Sequence, residues 1–348
     1  MHFSTAAVAS LAISLPVLAL PRASSSSSLQ NAADAVPGET SLFVTYPGKE
    51  TPLAQEYLRA NPATGSGPAG DDDLLFQNLL AAEWVIYSFY QLGVESFTKE
   101  NFTKLGWPNT TYERIVEIRD NEAGHVRIFQ DQITNNSVKP APCKYQFEVG
   151  TNPEYWLLLQ TYLEASSMAF LTGLALQADV NTSKAALMAI GQTESRHNTW
   201  SLIDVWNVSP FAGPSDTTYP YPNQILDLTN NFIVPRQNLP QLEFYKNGTT
   251  ASPGSDIQLA YQDPKHVPSF EDDKQYWVVF YHGVQKVSLP FDPHNMRVKI
   301  PAQFDVNVGI IMLNIADEED APTRDSVVAG PLILLEQPVA YNKVISAV

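Results

Sequence analysis

Four glutamates and two histidines recur along this chain in a fixed order. A lone Glu in an apolar run is followed by a Glu-x-x-His motif, and the same order is then repeated once. The residues concerned are Glu83, Glu122, His125, Glu164, Glu194 and His197. This order is the ligand set of a dinuclear metal site in a four-helix bundle. Six ionisable groups facing an apolar core cost much free energy unless something binds them.

The residue types suit a pair of divalent cations. Carboxylates can bridge two cations or change between one- and two-oxygen binding, and one imidazole for each cation adds a neutral nitrogen donor. Four carboxylates offset the four positive charges of two divalent ions. The absence of thiolates and the small number of imidazoles favour iron, then manganese, over zinc. The sequence thus predicts two iron or manganese ions; the alternative is a hydrogen-bonded polar cluster without metal.

The ligands lie on apolar stripes with helical spacing. In the second stripe Ile118, Glu122 and His125 follow one another in steps of three and four residues, so they share the buried face of a helix. Glu117 lies about 140° away around that helix and should face outward. Four helices are predicted at Asp73–Leu92, Thr111–Ile133, Pro153–Ala178 and Ser183–Trp206.

Helix-end signals and connection lengths define the expected topology. Pro153 fits a first helical turn, and the predicted caps are Asp73, Thr110 with Glu113 as a capping box, and Asn181 or Thr182. If the first helix pairs antiparallel with the second, and the third with the fourth, each pair of ligands comes level within about 3 Å. The connection between the second and third helices can span up to about 66 Å, which permits a crossover along the bundle.

Four further residues lie close to the ligands in sequence. Tyr87 and Tyr90 follow Glu83 on the first helix and are predicted as core aromatics, with a redox or hydrogen-bonding role as the alternative. Asn121 and Thr193 each precede the Glu of a Glu-x-x-His motif. They are candidates to support the ligands by hydrogen bonds.

The chain changes character at about residue 213. Short runs of β-forming residues, separated by Pro, Gly and Asn, predict strands at 275–281, 297–300, 306–313 and 327–335. The region 213–348 is therefore predicted to be a β-rich, sandwich-like domain that follows a helical domain at 73–212. His266, His282 and His294 are scattered there and are predicted to be structural or surface residues.

The first 19 residues are predicted to form a secretory signal. They are apolar and end in Val17-Leu18-Ala19, which fits a small-x-small cleavage site; a membrane anchor is the alternative, but the run is short and contains Pro16. Residues 20–72 are predicted to be a linker and N-terminal extension, and no membrane segment is expected in the mature chain. Six N-x-S/T sequons agree with export. They begin at Asn101, Asn109, Asn135, Asn181, Asn207 and Asn247.

Charge and cysteine content narrow the class of protein. The formal net charge of −16 argues against binding to nucleic acid, because few cations are available to replace phosphate counterions. The single cysteine, Cys143, permits no intrachain disulfide, so the core must supply the stability.

Four runs carry a resemblance to a known family: Leu79–Tyr90, Glu117–Phe129, Tyr162–Leu174 and Ile190–Trp200. They resemble the secreted ferritin-like domain of fungal stress-response and late sexual development proteins, and plant desiccation-related proteins are similar. The resemblance covers about residues 40–235. It implies a ferritin-like four-helix bundle with two iron or manganese ions at the six residues named above, and a β-rich C-terminal extension. It implies no defined activity, and the fold alone supplies none.

Two functions are compatible with the sequence. The first is a secreted metal protein of stress or development with oxygen or peroxide redox chemistry, acting as an oxidase, ferroxidase or catalase. The second is a non-enzymatic extracellular or cell-wall protein whose bundle is a scaffold and whose C-terminal domain binds a partner or a glycan. An iron-storing cage is disfavoured because the extra domain and glycans would occupy the exterior of the bundle.

Overall fold

The computed structural model describes residues 11–12, 59–147, 149, 151–207, 209–211, 221, 224–234, 239–245, 253–304 and 310–335. These residues form two compact units, one helical and one made of strands. Most of the predicted signal and linker, and the Asn247 sequon, lie outside the described residues. The proposed domain boundaries at residues 19, 72 and 212 stay predictions.

The helical unit contains the four long helices that the periodicity predicts, together with one short helix. Their bounds are α1 Asp73–Ser96, α2 Lys99–Thr103, α3 Thr111–Gln132, α4 Pro153–Leu174 and α5 Asn181–Trp200. The last helix continues as one π-helical turn, Ser201–Val205. The helix α1 is longer than predicted and α4 is shorter, and α2 was not predicted. None of the described helices is both long enough and apolar enough to cross a membrane.

Polar contacts at both ends show that α1 and α3 run antiparallel. At the start of α1, Asp73 accepts hydrogen bonds from the Thr134 backbone at 2.8 Å and the Ser137 hydroxyl at 2.5 Å, both just beyond the end of α3. At the opposite end, the Tyr112 hydroxyl near the start of α3 donates to the Val94 carbonyl at 3.1 Å. The antiparallel pairing that brings the ligands level is therefore confirmed for this pair.

The predicted cap at the start of α1 is wrong by one residue. Asp72 occupies the N-cap position without capping α1 through its side chain. Its carboxylate instead accepts from the backbone N–H groups of Asp179 and Val180, at 2.8 and 3.0 Å, just before α5. Val180 is the N-cap of α5, and no side-chain cap bond is present there. Asn181 or Thr182 was therefore wrongly predicted as that cap, because a distant carboxylate holds the chain entering the helix.

The starts of α3 and α4 differ in how well the sequence predicted their caps. Thr110 is the N-cap of α3 as predicted, but its side chain makes no cap bond. Glu113 forms an ion pair with Lys99 at 2.8 Å, so the predicted capping box is not formed. Pro153 begins α4 as predicted, and the preceding Asn152 accepts from the Glu154 backbone N–H at 2.8 Å. The sequence analysis did not predict Asn152 as a cap.

The strand unit contains two antiparallel sheets within the described residues. The first has the order β1-β8-β7-β4-β5 and the second the order β2-β3-β6. The strands are β1 Leu11–Ala12, β2 Leu242–Phe244, β3 Asp256–Tyr261, β4 Tyr276–His282, β5 Gln285–Phe291, β6 Arg297–Lys299, β7 Ile310–Ala316 and β8 Val327–Leu335. A short helix, α6 Gln224–Thr229, precedes them. The β1 strand lies inside the predicted signal. Removal of that signal would leave β8 at the edge of the sheet.

One apolar core is shared by the two sheets. Phe280 and Leu313 from the first sheet contribute to it, and so do Phe244 and Leu259 from the second. This arrangement agrees with the predicted sandwich-like β-rich region. The β4 and β8 predictions match closely, whereas β2, β3 and β5 were not predicted; β5, for example, is largely exposed and lacks a strong apolar run.

Candidate metal centre

All six predicted ligand residues converge in the interior of the helical unit. One comes from α1 and one from α4, and α3 and α5 each supply the Glu and the His of their motif. The glutamates are at most 2% exposed, and each histidine is 5% exposed. The histidines are thus the members of the cluster nearest to solvent.

The first half of the site surrounds the Nδ1 atom of His125. This nitrogen lies 3.0 Å from Glu122 Oε2, 3.1 Å from Glu194 Oε1 and 3.4 Å from Glu83 Oε1. The three carboxylates come from three different helices. One ligand atom from each of these four residues lies within 4.8 Å of all the others, so the four can hold a single cation.

The second half surrounds the Nδ1 atom of His197. It lies 3.1 Å from Glu122 Oε1, 3.3 Å from Glu164 Oε2 and 3.4 Å from Glu194 Oε2. Two carboxylates are therefore common to both halves. Glu122 and Glu194 each direct one oxygen toward His125 and the other toward His197, which is the arrangement of bridging carboxylates between two cations.

The distances and the hydrogen bonding both fit a cation. Two ligand atoms at right angles about an ion, each about 2.1 Å from it, lie about 3 Å apart, close to the separations above. Buried carboxylate and imidazole atoms normally have hydrogen-bond partners. Within the described part of the chain, six such atoms in the cluster have none: Glu83 Oε1, Glu122 Oε1, Glu164 Oε2, Glu194 Oε1, Glu194 Oε2 and His197 Nδ1. They face one another, as ligands around an ion do.

The two shared carboxylates are electrostatically paired with the histidines. Burial by itself raises the pKa of Glu122 and of Glu194, but the adjacent His125 and His197 outweigh it, and the pKa of each carboxyl is lowered. Burial likewise opposes the charging of His125, yet Glu122 and the other carboxylates raise its pKa well above the usual range. The same balance raises the pKa of His197 to about 12. Without a cation, these four groups form two buried ion pairs.

The two remaining carboxyls behave differently. Burial is the largest cause of the raised pKa of Glu83, and the neighbouring charge of Glu122 adds to it. Burial also raises the pKa of Glu164 well above its usual value, although His197 opposes the shift. Both carboxyls therefore hold their protons to a higher pH than an exposed glutamate does. The alternative of a hydrogen-bonded polar cluster is thus electrostatically workable.

Hydrogen bonds connect Glu164 to other residues of the bundle. The Tyr90 hydroxyl donates a short hydrogen bond to Glu164 Oε1, and the Gln160 amide donates to the Tyr90 oxygen at 3.0 Å. The Thr161 hydroxyl donates to Gln160 Oε1. It also hydrogen-bonds to the Ser201 hydroxyl, at an oxygen–oxygen distance of 2.6 Å. Tyr90 is therefore a hydrogen-bonding residue of the site rather than only a core aromatic. Gln160 lies four positions before Glu164 on α4, and its contact was not predicted.

Of the two residues that precede the Glu-x-x-His glutamates, one contacts the site. Asn121 Oδ1 lies 3.2 Å from His197 Nε2, and an Nε2–H donated to it leaves Nδ1 free to bind a cation. Thr193 is directed elsewhere and donates to the Ala189 carbonyl. Glu117 is exposed and paired with Arg114, as expected.

Comparison with known proteins identifies the class of the helical unit. A family model described as a ferritin-like domain matches residues 71–202. No curated protein matches the chain. The matched segment contains the four long helices and all six clustered residues, so the helical unit is a ferritin-like bundle with a buried Glu/His cluster that can hold metal.

Proposed function

We propose that this chain is a secreted ferritin-like protein that binds a pair of iron or manganese ions. The observation that carries the proposal is the placement of Glu122 and Glu194, each of which presents one oxygen to each histidine nitrogen. A polar cluster that served only packing has no need for two carboxylates shared symmetrically between two imidazoles.

The protein residues divide into shared and separate ligands. Glu122 and Glu194 would contribute to both positions, Glu83 and His125 would complete one of them, and Glu164 and His197 would complete the other. Bound there, iron or manganese supplies electron exchange with dioxygen or peroxide. The four helices supply a dry, rigid surrounding in which the ligand positions are set by packing.

Metal analysis of the purified full-length protein tests this proposal. We expect about two ions per chain after exposure to Fe²⁺ or Mn²⁺, since the site has two sets of donors. The double substitution Glu122→Gln and Glu194→Gln should remove both, because it replaces the two shared carboxylates. The substitution Glu117→Gln, an exposed carboxylate on the same helix as Glu122, is the matched control and should retain both. A wild-type chain that binds neither ion would overturn the proposal.

Activity assays distinguish the possible reactions. Oxidation of Fe²⁺ by dioxygen tests a ferroxidase, and decomposition of hydrogen peroxide by the manganese-loaded protein tests a catalase. In either case the double Gln variant should lose the activity, whereas Glu117→Gln should keep it. Activity that survives in the double variant would place the chemistry outside this cluster.

The extracellular location and a role in stress or development belong to the same proposal. The apolar segment 1–19 and the sequons support them. The asparagines of five sequons, Asn101, Asn109, Asn135, Asn181 and Asn207, are exposed in the described structure. Expression of the whole chain in a secreting host should give medium-borne protein that begins after Ala19 and loses mass on enzymatic deglycosylation. Retention in the cell with an intact N-terminus would count against export.

A non-enzymatic extracellular or wall protein is the second candidate function. The close contacts of His125 and His197 with Glu122 favour it, because such pairing lets the bundle hold the buried cluster as a polar network. The strand unit, with a core of its own, would bind a glycan or another partner. In that case the double Gln variant should retain the biological function, whereas a chain without the strand unit should lose it.

A further inference from the structure

The two halves of the metal site can be compared through the internal repeat. In sequence, α1 and α3 match α4 and α5 when Glu83 is placed on Glu164 and Glu122 on Glu194. Each residue that hydrogen-bonds to a ligand, or to the partner of a ligand, then has a counterpart at the equivalent place in the other half. Three such pairs differ. In all three, the hydrogen-bonding residue supports the half that contains Glu164 and His197.

The first difference concerns the phenol of Tyr90. This residue follows Glu83 by seven positions on α1 and donates to Glu164 on α4. Its counterpart, seven positions after Glu164, is Leu171, which is buried and has no polar group. Among the described residues, Glu83 thus receives no hydrogen bond from a phenol or an amide.

The second difference fixes the orientation of that phenol. Gln160, four positions before Glu164, donates to the Tyr90 oxygen at 3.0 Å. The single proton of Tyr90 is therefore directed to Glu164 Oε1, which leaves Oε2 facing His197. The counterpart of Gln160 is Leu79, four positions before Glu83 and fully buried.

The third difference concerns the histidines. Asn121 lies 3.2 Å from His197 Nε2 and fixes its tautomer and ring orientation. The counterpart, Thr193, donates to Ala189 and accepts from Arg196 at 3.3 Å. In the described part of the chain, His125 Nε2 therefore has no equivalent partner.

We infer that the two cation positions are inequivalent, and that the position of Glu164 and His197 binds its ion first and more tightly. This inference rests on the proposed function. Tyr90, Gln160 and Asn121 are positioning residues that hold a carboxylate and an imidazole in place before a cation arrives, so less freedom is lost on binding. Glu83 and His125 lack these restraints and hold the exchangeable ion.

Anaerobic titration of the metal-free, full-length protein with Mn²⁺ tests the inference. Calorimetry measures each binding step, and electron paramagnetic resonance distinguishes isolated from spin-coupled ions. The wild type should bind in two steps, with an isolated-ion signal after one equivalent and a spin-coupled signal after two. Removing a partner that orients a ligand typically weakens metal binding about 10- to 100-fold. Tyr90→Phe and Asn121→Ala should each weaken the first step by such a factor and leave the second step unchanged within about threefold.

Matched controls separate positioning from general effects on the bundle. Thr193→Val changes the counterpart of Asn121, and Tyr112→Phe removes a phenol of the same bundle that touches no ligand; neither should alter either step. Asn121→Asp keeps an acceptor for Nε2–H and should retain tight first binding. Because Tyr90 is buried, its variant is checked by thermal melting, and the exposed Asn121 provides an independent test if Tyr90→Phe does not fold.

The possible outcomes distinguish this inference from the proposed function. Two wild-type steps of equal affinity, or equal losses in Asn121→Ala and Thr193→Val, would overturn the inequivalence while leaving the metal site intact. No binding of Mn²⁺ or Fe²⁺ to the wild type would overturn the proposed function itself.

Discussion

Glu122 and Glu194 are kept ionised by the same histidines that would bind the cations. Although burial opposes their charging, the neighbouring carboxylates raise the pKa of His125 and His197, and burial raises the pKa of Glu83 and Glu164. Nitrogen and oxygen atoms must be deprotonated before they bind a cation. Cations therefore compete with protons for every ligand whose pKa is raised.

This competition predicts proton release on metal loading. Four groups have raised pKa values, the two histidines with Glu83 and Glu164, so each holds its proton to a higher pH than usual. Filling both positions should release protons from these groups, and a rise in pH should strengthen binding. Mn²⁺ titrations in buffers of different ionisation enthalpy would count the protons. The double Gln variant at Glu122 and Glu194 should release none, and wild-type affinity that is constant from pH 6 to 8 would contradict the prediction.

At this scale the sequence indicated which residues converge but not how they are held. The three-residue spacing of Glu and His on apolar stripes was enough to bring the six together. The Tyr90–Glu164 hydrogen bond joins residues 74 positions apart, and a phenol on an apolar face looks the same whether it packs or donates. Asn121 could be named as a candidate because it adjoins Glu122. Thr193 is in the equivalent position, but it donates to the Ala189 carbonyl instead.

At the scale of the elements, Asp73 fastens the start of α1 to the segment after α3. Burial by itself raises the pKa of Asp73, but hydrogen bonds from Ser137, Thr134 and Gly70 outweigh it and lower the pKa to about 2. The folded state thus favours the ionised carboxylate. Its stabilising effect is fully present above the ordinary pKa of about 3.9 and is lost as the pH falls from about 4 to about 2.

We therefore expect Asp73→Ala to lower the free energy of unfolding by about 2–3 kcal/mol at pH 7, because hydrogen bonds to a charged group are lost. The difference between variant and wild type should shrink as the pH falls from about 4 to about 2. Urea unfolding at several pH values measures both effects. The exposed Asp131 on α3 supplies the control, since Asp131→Ala should change stability by less than about 0.5 kcal/mol. An equal loss in both variants would contradict the anchoring role.

Gly93 permits close packing between α1 and α4. A Cβ atom at this position would overlap the indole ring of Trp156, which is itself fully buried and stacked on Phe89 at 4.6 Å. Gly93→Ala should therefore cost about 1–3 kcal/mol through overpacking. Gly124→Ala is the matched change, because a Cβ there meets only Arg127 at 3.7 Å, and the better helix propensity of Ala should stabilise by about 0.5–1 kcal/mol. Thermal melting of the two variants should show shifts of opposite sign.

The elements themselves were more predictable than their ends. Apolar periodicity located all four long helices because that pattern records burial along one face. The caps failed where tertiary contacts took over the polar side chains: Asp72 holds the chain before α5, and Glu113 pairs with Lys99. Strands whose two faces are buried, such as β4, have a continuous apolar run, whereas the largely exposed β5 leaves a weak signal.

At the scale of the whole molecule, each unit has an apolar core, and among the described residues the Glu/His cluster that can hold metal lies in the helical unit. The helical unit buries the six clustered residues among aromatic and aliphatic side chains, whereas the strand unit buries the apolar core shared by its two sheets. A cation that binds only the folded helical unit stabilises that unit by mass action. If the two units unfold independently, the strand unit gains nothing from a cation that is bound in the helical unit.

Hydrogen exchange read by mass spectrometry should therefore report metal binding in one unit only. With free Mn²⁺ at about 100 times its dissociation constant, the stabilisation is about 2.7 kcal/mol. The slowest amides of α1, α3, α4 and α5 should then exchange about 100-fold more slowly, because they open only when the site is lost. Peptides from β4 and β7 should be unaffected, and the double Gln variant at Glu122 and Glu194 should show no change anywhere. Equal protection of β4 and the helices would mean that the two units unfold together, and unchanged helices in the wild type would mean that the ion binds elsewhere.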